Sequence, residues 1–276
     1  MHVDLNGRTA LVTGGGRGIG RAIVLELLRA GARVALTSTD RASLDETIKA
    51  SGAGERAVAI VADLTDREAP QRIVDAANTA FGHVDILVNN AGISSDALDP
   101  TSTDFAIPFW KVSQEMLRRF FDINSIAPQM LAILLAPGMM ERKWGRIINI
   151  TTGLSTMLKL STYGGSKAAL EAHTSGMALD MEGTGVTANV VVPGGPTATR
   201  MTERYNLPPD SMLKAESLAP PVLYLCSPAG DRITGRRYVA ALWDPKLPPV
   251  EAEQKAGAPV AWTGYGVQSI AVPGQR

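Results

Sequence analysis

Short, almost continuously apolar runs rich in Val, Ile and Thr alternate along the chain with longer stretches in which apolar residues return every three or four positions. The short runs predict strands over 9–13, 33–37, 57–62, 86–89, 146–151, 186–192 and 237–241. Several are apolar nearly throughout, as strands covered on both faces are. The longer stretches predict helices over 18–30, 42–50, 66–81, 113–142, 162–182 and 215–226. Gly31, Gly82 and Gly183 follow three of them, where a left-handed cap is wanted. This alternation predicts a doubly wound α/β domain around a parallel sheet. Two regions break the pattern. Residues 94–112 form a long connection with Pro100, Pro108, Phe109 and Trp110, and residues 244–276 are rich in Pro, Ala and Gly and carry Trp262 and Tyr265. The division is a domain over 1–243 and a C-terminal extension over 244–276, the latter either loosely ordered or laid over the cleft or a subunit interface.

Composition narrows the function classes. Basic and acidic residues number 27 each, so no net field draws the chain to nucleic acid or anionic lipid. The start, Met1-His2-Val3-Asp4, does not resemble a signal peptide, and the longest greasy stretch, 130–135, is too short to cross a bilayer. Cys226 is the single cysteine, which fits a reducing compartment. The expectation is a cytoplasmic protein with no nucleic-acid partner, no membrane partner and no metal.

The first strand runs into Thr13-Gly14-Gly15-Gly16-Arg17-Gly18-Ile19-Gly20, and a helix follows. Glycines at such a turn let the backbone approach a pyrophosphate, and the helix start adds free N–H groups and the positive end of its dipole. The common G-x-G-x-x-G spacing does not fit; T-G-x-x-x-G-x-G does, on Thr13, Gly14, Gly18 and Gly20. Further along stand Asp63-Leu64, Asn89-Asn90-Ala91-Gly92, Asn124, Tyr163-Gly164-Gly165-Ser166-Lys167 and Pro193-Gly194. With these motifs in this order, residues 5–240 or so resemble the classical short-chain dehydrogenase/reductase family. That resemblance implies a Rossmann-like fold and a nicotinamide cofactor. It places Gly14, Gly16, Arg17, Gly18, Ile19 and Gly20 at the phosphates, Asp63 and Leu64 beside the adenine, and Asn90, Ala91, Gly92, Pro193 and Gly194 along the nucleotide.

Positions four apart share a helix face, so Tyr163 and Lys167 can point into one cleft. A tyrosine ordinarily keeps its proton to about pH 10, and a nearby ammonium favours the phenolate. The resemblance implies that Tyr163 exchanges the proton on the substrate oxygen. It also implies that Lys167 binds the nicotinamide ribose and that Asn124 supports a water relay to solvent. The family's serine is replaced, because Asn149-Ile150-Thr151-Thr152 stands where N-[IV]-S-S is usual. Thr152 is favoured for that role, with Ser155 as its competitor.

NADP is favoured over NAD. Ser38 stands where an NAD user would carry an acid, Thr39 can add a hydrogen bond, and Arg17, with Arg41 as a weaker candidate, can meet a 2′-phosphate. Asp40 reads as a helix cap. Thr197 or Thr199 is expected to contact the carboxamide. Leu154, Met157, Phe109 and Trp110 are expected to line an apolar pocket, against the alternative that Phe109 and Trp110 are core residues at a helix start. The substrate expected is a small secondary alcohol or ketone. A non-catalytic nucleotide sensor, or an epimerase or dehydratase on the same fold, are the alternatives. Small residues at Ala168, Ala169, Ala172, Gly176 and Ala178 predict a homodimer or homotetramer through helix 162–182.

Overall fold

The computed structural model describes residues 3–94, 107–203 and 207–261. In chain order its elements are β1 (Thr9–Thr13), α1 (Gly18–Arg29), β2 (Arg33–Ser38), α2 (Arg41–Ser51), β3 (Ala57–Val61), α3 (Ala69–Phe81) and β4 (Ile86–Asn89). There follow α4 (Gln114–Phe121), α5 (Ala127–Glu141), β5 (Gly145–Ile150), α6 (Leu154–Lys159), α7 (Ser161–Asp180), β6 (Val186–Val192), α8 (Arg200–Glu203), α9 (Ala219–Cys226), β7 (Arg236–Val239), α10 (Pro249–Ala256) and β8 (Gly257–Pro259). The strands form one sheet in the order β3-β2-β1-β4-β5-β6-β7-β8. β1 to β7 are parallel, and β8 runs antiparallel to β7.

The doubly covered sheet explains the apolar runs. Successive strand residues face opposite sides, and both sides are buried: Val12, Val88 and Ile148 join one core with α1 and α9, while Leu11, Leu87 and Ile147 join another with α3 and α5. Sheet order reverses between β1 and β4, so the loops leaving these two strands part and open a crevice at their carboxyl ends. Gly31, Gly82 and Gly183 all have positive φ, as expected at the ends of α1, α3 and α7.

Three features depart from the sequence pattern. Helix 113–142 is one helix from Gln114 to Glu141, but α4 and α5 are joined by a π-helical turn over Asp122–Ile126. By length and mean hydropathy (1.4) this helix could cross a bilayer, unlike the short 130–135 run; half of that window is buried here, with Leu131, Ala132, Leu135 and Met139 against the sheet. The residues between β5 and α7 form α6 rather than a plain loop. Residues 244–261 are not a loose tail. Ala252, Ala256 and Val260 are buried, Tyr238 donates its hydroxyl to Glu253 at 2.8 Å, and Trp243 packs against Tyr224 and Tyr238. Pro100, Trp262 and Tyr265 lie outside the described residues.

Candidate active site

The crevice between β1 and β4 is closed at its base by Thr13 and Asn90. The Asn90 and Ala91 N–H groups both donate to Thr13 Oγ1 at 3.0 Å, and Asn90 Nδ2 donates to Thr13 O at 2.9 Å and Gly14 O at 3.3 Å. Thr13 is buried, so its hydroxyl shapes the loop from within. A Cβ at Gly20 would lie 2.1 Å from Gly14 O and 2.4 Å from Asn90 Nδ2, so only glycine lets helix α1 start this close to the loop. Gly18 begins that helix at φ +52°, and no side chain caps it. Its first N–H groups therefore stay available to an anion. Gly16 packs on α2, where Thr47 Oγ1 donates to its carbonyl at 3.1 Å, and Arg17 beside it is exposed. Ile19 is half-buried against the core.

Asn124 sits in the π turn, fully buried. Its Nδ2 donates to Ile93 O and to Ser166 Oγ, both at 3.0 Å, and its Oδ1 accepts from Ile93 N–H at 2.9 Å. These bonds tie the segment after Gly92 to α7 beside Tyr163, whose carbonyl accepts from Ser166 Oγ at 2.8 Å. π turns of this kind often mark functional sites, because they re-aim part of a helix. A Cβ at Gly92 would stand 3.1 Å from Asn124 Oδ1 and 3.2 Å from Lys167 Nζ, so these three residues converge. Lys167 is buried and donates from Nζ to Ile150 O at 2.9 Å. Burial lowers its ammonium to a pKa of about 8. Tyr163 is half-buried on α7, one turn before Lys167. Gly164 lets α6 pack on this turn, since a Cβ there would meet Met157 O at 2.2 Å.

Thr152 follows the end of β5 and is half-buried, its carbonyl accepting from Arg237 Nη2 at 3.0 Å, whereas Ser155 is exposed on α6. Beyond β6, Gly194 turns the chain at φ +93° after Pro193. Thr197 is buried, with Oγ1 donating to Gly195 O at 3.4 Å, while a Cβ at Gly18 would lie 3.1 Å from Thr199 Cγ2. The loop after β6 thus reaches across to the glycine loop through Thr199.

Residues 8–209 match the family described as short chain dehydrogenase. The chain belongs to that family. As a short-chain dehydrogenase/reductase it is a nicotinamide-dependent oxidoreductase. A short-chain type dehydrogenase/reductase of Picea abies is 32% identical over 84% of this chain and 90% of its own length. Among solved structures, a blue fluorescent protein from a metagenomic library in complex with NADPH is 35% identical, with a TM-score of 0.74 over 86% of this chain and 96% of that one. The 3-ketoacyl-(acyl-carrier-protein) reductase of Brucella melitensis complexed with NADH is 25% identical, with a TM-score of 0.73 over 84% of this chain and 95% of that one.

The chain's own residues suit the family's dinucleotide. Gly14 and Gly20 keep the phosphate loop free of side chains, and the uncapped start of α1 faces it. At the far end, Ser38 ends β2 and Thr39 is exposed. Asp40 caps α2 by accepting from the Ala42 N–H at 3.1 Å, and Arg41 is paired with Asp45 at 2.9 Å. Asp63 is exposed but holds its own turn, its Oδ1 accepting from the Thr65 N–H and Oγ1 at 2.9 Å each; Leu64 packs against the core. An open groove beside Asp63 is lined by Thr65, Gln114, Arg118 and Asp122.

Phe109 and Trp110 touch edge to face and are 70% and 72% exposed, so they are not helix-start core residues; Met157 is buried. The small-residue stripe of α7 divides, with Ala178 buried in the core and Ala172 and Gly176 exposed. Sequence reasoning missed a buried polar chain beneath the site. Asn89 Nδ2 donates to Asn149 Oδ1, and Asn149 Nδ2 donates to Thr174 Oγ1, both at 2.8 Å, joining β4, β5 and α7. It also missed Ser166, Glu171 and Arg237. The available signal was polar residues at positions the helix and strand periods assign to the interior.

Proposed function

We propose that the chain transfers a hydride between NADP(H) and a small secondary alcohol or ketone, with Tyr163 giving or taking the proton on the substrate oxygen. The observation that carries this reading is the buried Lys167 ammonium, one turn from Tyr163 and bonded to the end of β5. Bound nicotinamide would supply or accept the hydride. The Lys167 ammonium favours the phenolate of Tyr163 and holds the nucleotide's ribose hydroxyls. Asn124 fixes the segment after Gly92 and supports a proton path from Lys167 to solvent. Thr152 holds the substrate oxygen, favoured over the exposed Ser155 because its backbone is fixed. Thr199, beside the glycine loop, is favoured over Thr197 for the carboxamide, since the Thr197 hydroxyl is spent inside its own loop.

NADP is preferred on the chain's own residues. Asp40 serves α2 and Arg41 is paired, which leaves Ser38, Thr39 and the exposed Arg17 for a 2′-phosphate. The test is a panel of ketones and alcohols with NADPH and with NADH, following absorbance of the reduced nicotinamide. Tight NADPH binding without turnover of any compound would favour a nucleotide sensor instead.

The reading includes a homodimer or homotetramer. Ile126, Met130 and Ile133 are exposed along one face of the helix from Gln114 to Glu141, and an apolar face of this kind suits a symmetric partner. Light scattering at micromolar concentration decides it, and a monomer overturns it.

A further inference from the structure

Three consecutive residues at the end of β5 are held by three side chains from two other elements. Lys167 Nζ donates to Ile150 O at 2.9 Å, Thr151 Oγ1 donates to Glu171 Oε2 at 3.0 Å, and Arg237 Nη2 donates to Thr152 O at 3.0 Å. Glu171 lies on α7 one turn beyond Lys167 and two beyond Tyr163, with no exposed surface. Its Oε1 stands 3.0 Å from Arg237 Nε but out of line for a hydrogen bond, so charge pairs the two. Burial holds the Glu171 carboxyl above the usual carboxylate range, and Arg237, the Thr151 hydroxyl and the Ala261 amide offset only part of that rise.

A buried ion pair is a poor device for stability alone, because desolvation offsets much of the attraction. This one does something a generic pair need not do: each partner also bonds the strand end. Glu171 rides on the helix that carries Tyr163, and Arg237 rides on β7. Together they fix where the strand end lies relative to that helix.

We propose that Glu171 and Arg237 are positioning residues that hold Thr151 and Thr152 in place relative to Tyr163, so that the substrate oxygen meets the hydroxyls of Thr152 and Tyr163. The proposal rests on the assignment of Thr152 to the substrate oxygen. Displacement of a reacting group by about an ångström costs on the order of a hundredfold in rate, which leaves ample signal.

The experiment is a double-mutant cycle of Arg237→Met with Thr152→Val. It reads kcat and KM for the best ketone of the panel, the NADPH dissociation constant by fluorescence, and amide hydrogen exchange over residues 150–153. Arg237→Met is expected to lower kcat about tenfold or more and to speed exchange at 150–153. NADPH affinity should stay within about threefold, and Arg237→Lys should recover part of the rate. In the Thr152→Val background Arg237→Met should cost less than about twofold, because the group it positions is gone. Glu171→Gln, which keeps an acceptor for Thr151, carries the same expectations and serves if Arg237→Met does not fold. An equal loss in both backgrounds, or no loss in the wild-type background, overturns the positioning role. Wild-type turnover in Thr152→Val alone removes the assignment of Thr152 and the proposal with it. A slow Thr152→Val beside a normal Arg237→Met overturns the proposal alone.

Discussion

The Lys167 ammonium donates to the Ile150 carbonyl at 2.9 Å in a place where its own burial lowers its pKa to about 8. The folded state sheds this proton at about pH 8, while an unfolded lysine keeps it to about 10.4. Between those values the unfolded chain binds more protons, so stability from this group rises with pH there; below about 8 its full cost is present. The shift corresponds to about 3 kcal/mol, at 1.36 per pKa unit.

Lys167→Met should therefore raise stability to denaturant at pH 7, by at most about 3 kcal/mol, with the gain shrinking towards pH 10. Turnover and nicotinamide affinity should both fall, because one ammonium serves two tasks. Urea titrations at pH 7 and 10 check the first, and kinetics with NADPH titration check the second. A variant destabilised at pH 7 but active would mark Lys167 as structural.

Tyr163→Phe removes the proton donor with almost no change of shape. Turnover should be abolished, with NADPH dissociation within about threefold of wild type, since the remaining contacts are kept. Activity within about tenfold of wild type would falsify the acid/base assignment.

The kcat/KM ratio of NADPH to NADH should exceed one. Arg17→Ala should narrow it by about 1.5–3 kcal/mol, the range of a hydrogen bond to a charged group. Ser38→Asp should move preference towards NADH by repelling a 2′-phosphate and accepting from a ribose hydroxyl. Equal use of both cofactors by the unmodified protein would overturn the NADP preference.

Gly20→Ala pits helix propensity against packing. Alanine favours a helix over glycine by up to about 1 kcal/mol, but the added methyl would sit 2.1 Å from the Gly14 carbonyl. Overpacking of about 1–3 kcal/mol should win. The variant should be less stable to denaturant and should bind NADPH more weakly. Wild-type values in both would mean that α1 moves freely away from the phosphate loop.

Removal of residues 245–276 would strip Ala252, Ala256 and Val260 from the core and bare Tyr238, which has no exposed surface. A loss of at least about 3 kcal/mol is expected in denaturant titration, at about 1.5–3 per large apolar side chain uncovered. Turnover should also fall, because the Ala261 amide that faces Glu171 is removed. A truncated chain matching the full one in stability and kinetics would show the extension to be passive.

The seven parallel strands were legible because the central ones, β1, β4, β5 and β6, are buried on both faces and so read as apolar runs, while β3 and β7, less covered, still carry short runs rich in Val, Ile and Ala or Tyr and Val. Their ends fall within a residue or two of the expectation, as β1, β4 and β6 show. The π turn was not legible: Asp122–Ile126 keeps a helical pattern, and a single extra residue per turn leaves no mark on it. Glu171 and Arg237 were hidden because each charge looks solvated until a partner sixty-six positions away is brought to it by the topology. α10 and β8 were lost in a stretch whose Pro and Gly content reads as coil. Tyr163, Lys167 and Asn124 were singled out through the family resemblance, and nothing in it hinted that Asn124 uses its amide to hold Ile93 and Ser166.

The antiparallel β8 also governs how this sheet stops growing. Without it, β7 would present its backbone N–H and carbonyl groups to any extended chain that came by, a template for aggregation. β8 covers that rim with three residues, ending in Pro259, which has no N–H to offer. So short a border, closed by an imino acid, is a poor seed for a ninth strand. The opposite rim, β3, keeps Val61 53% exposed. If copies of this chain ever associate wrongly by strand addition, they will do so there.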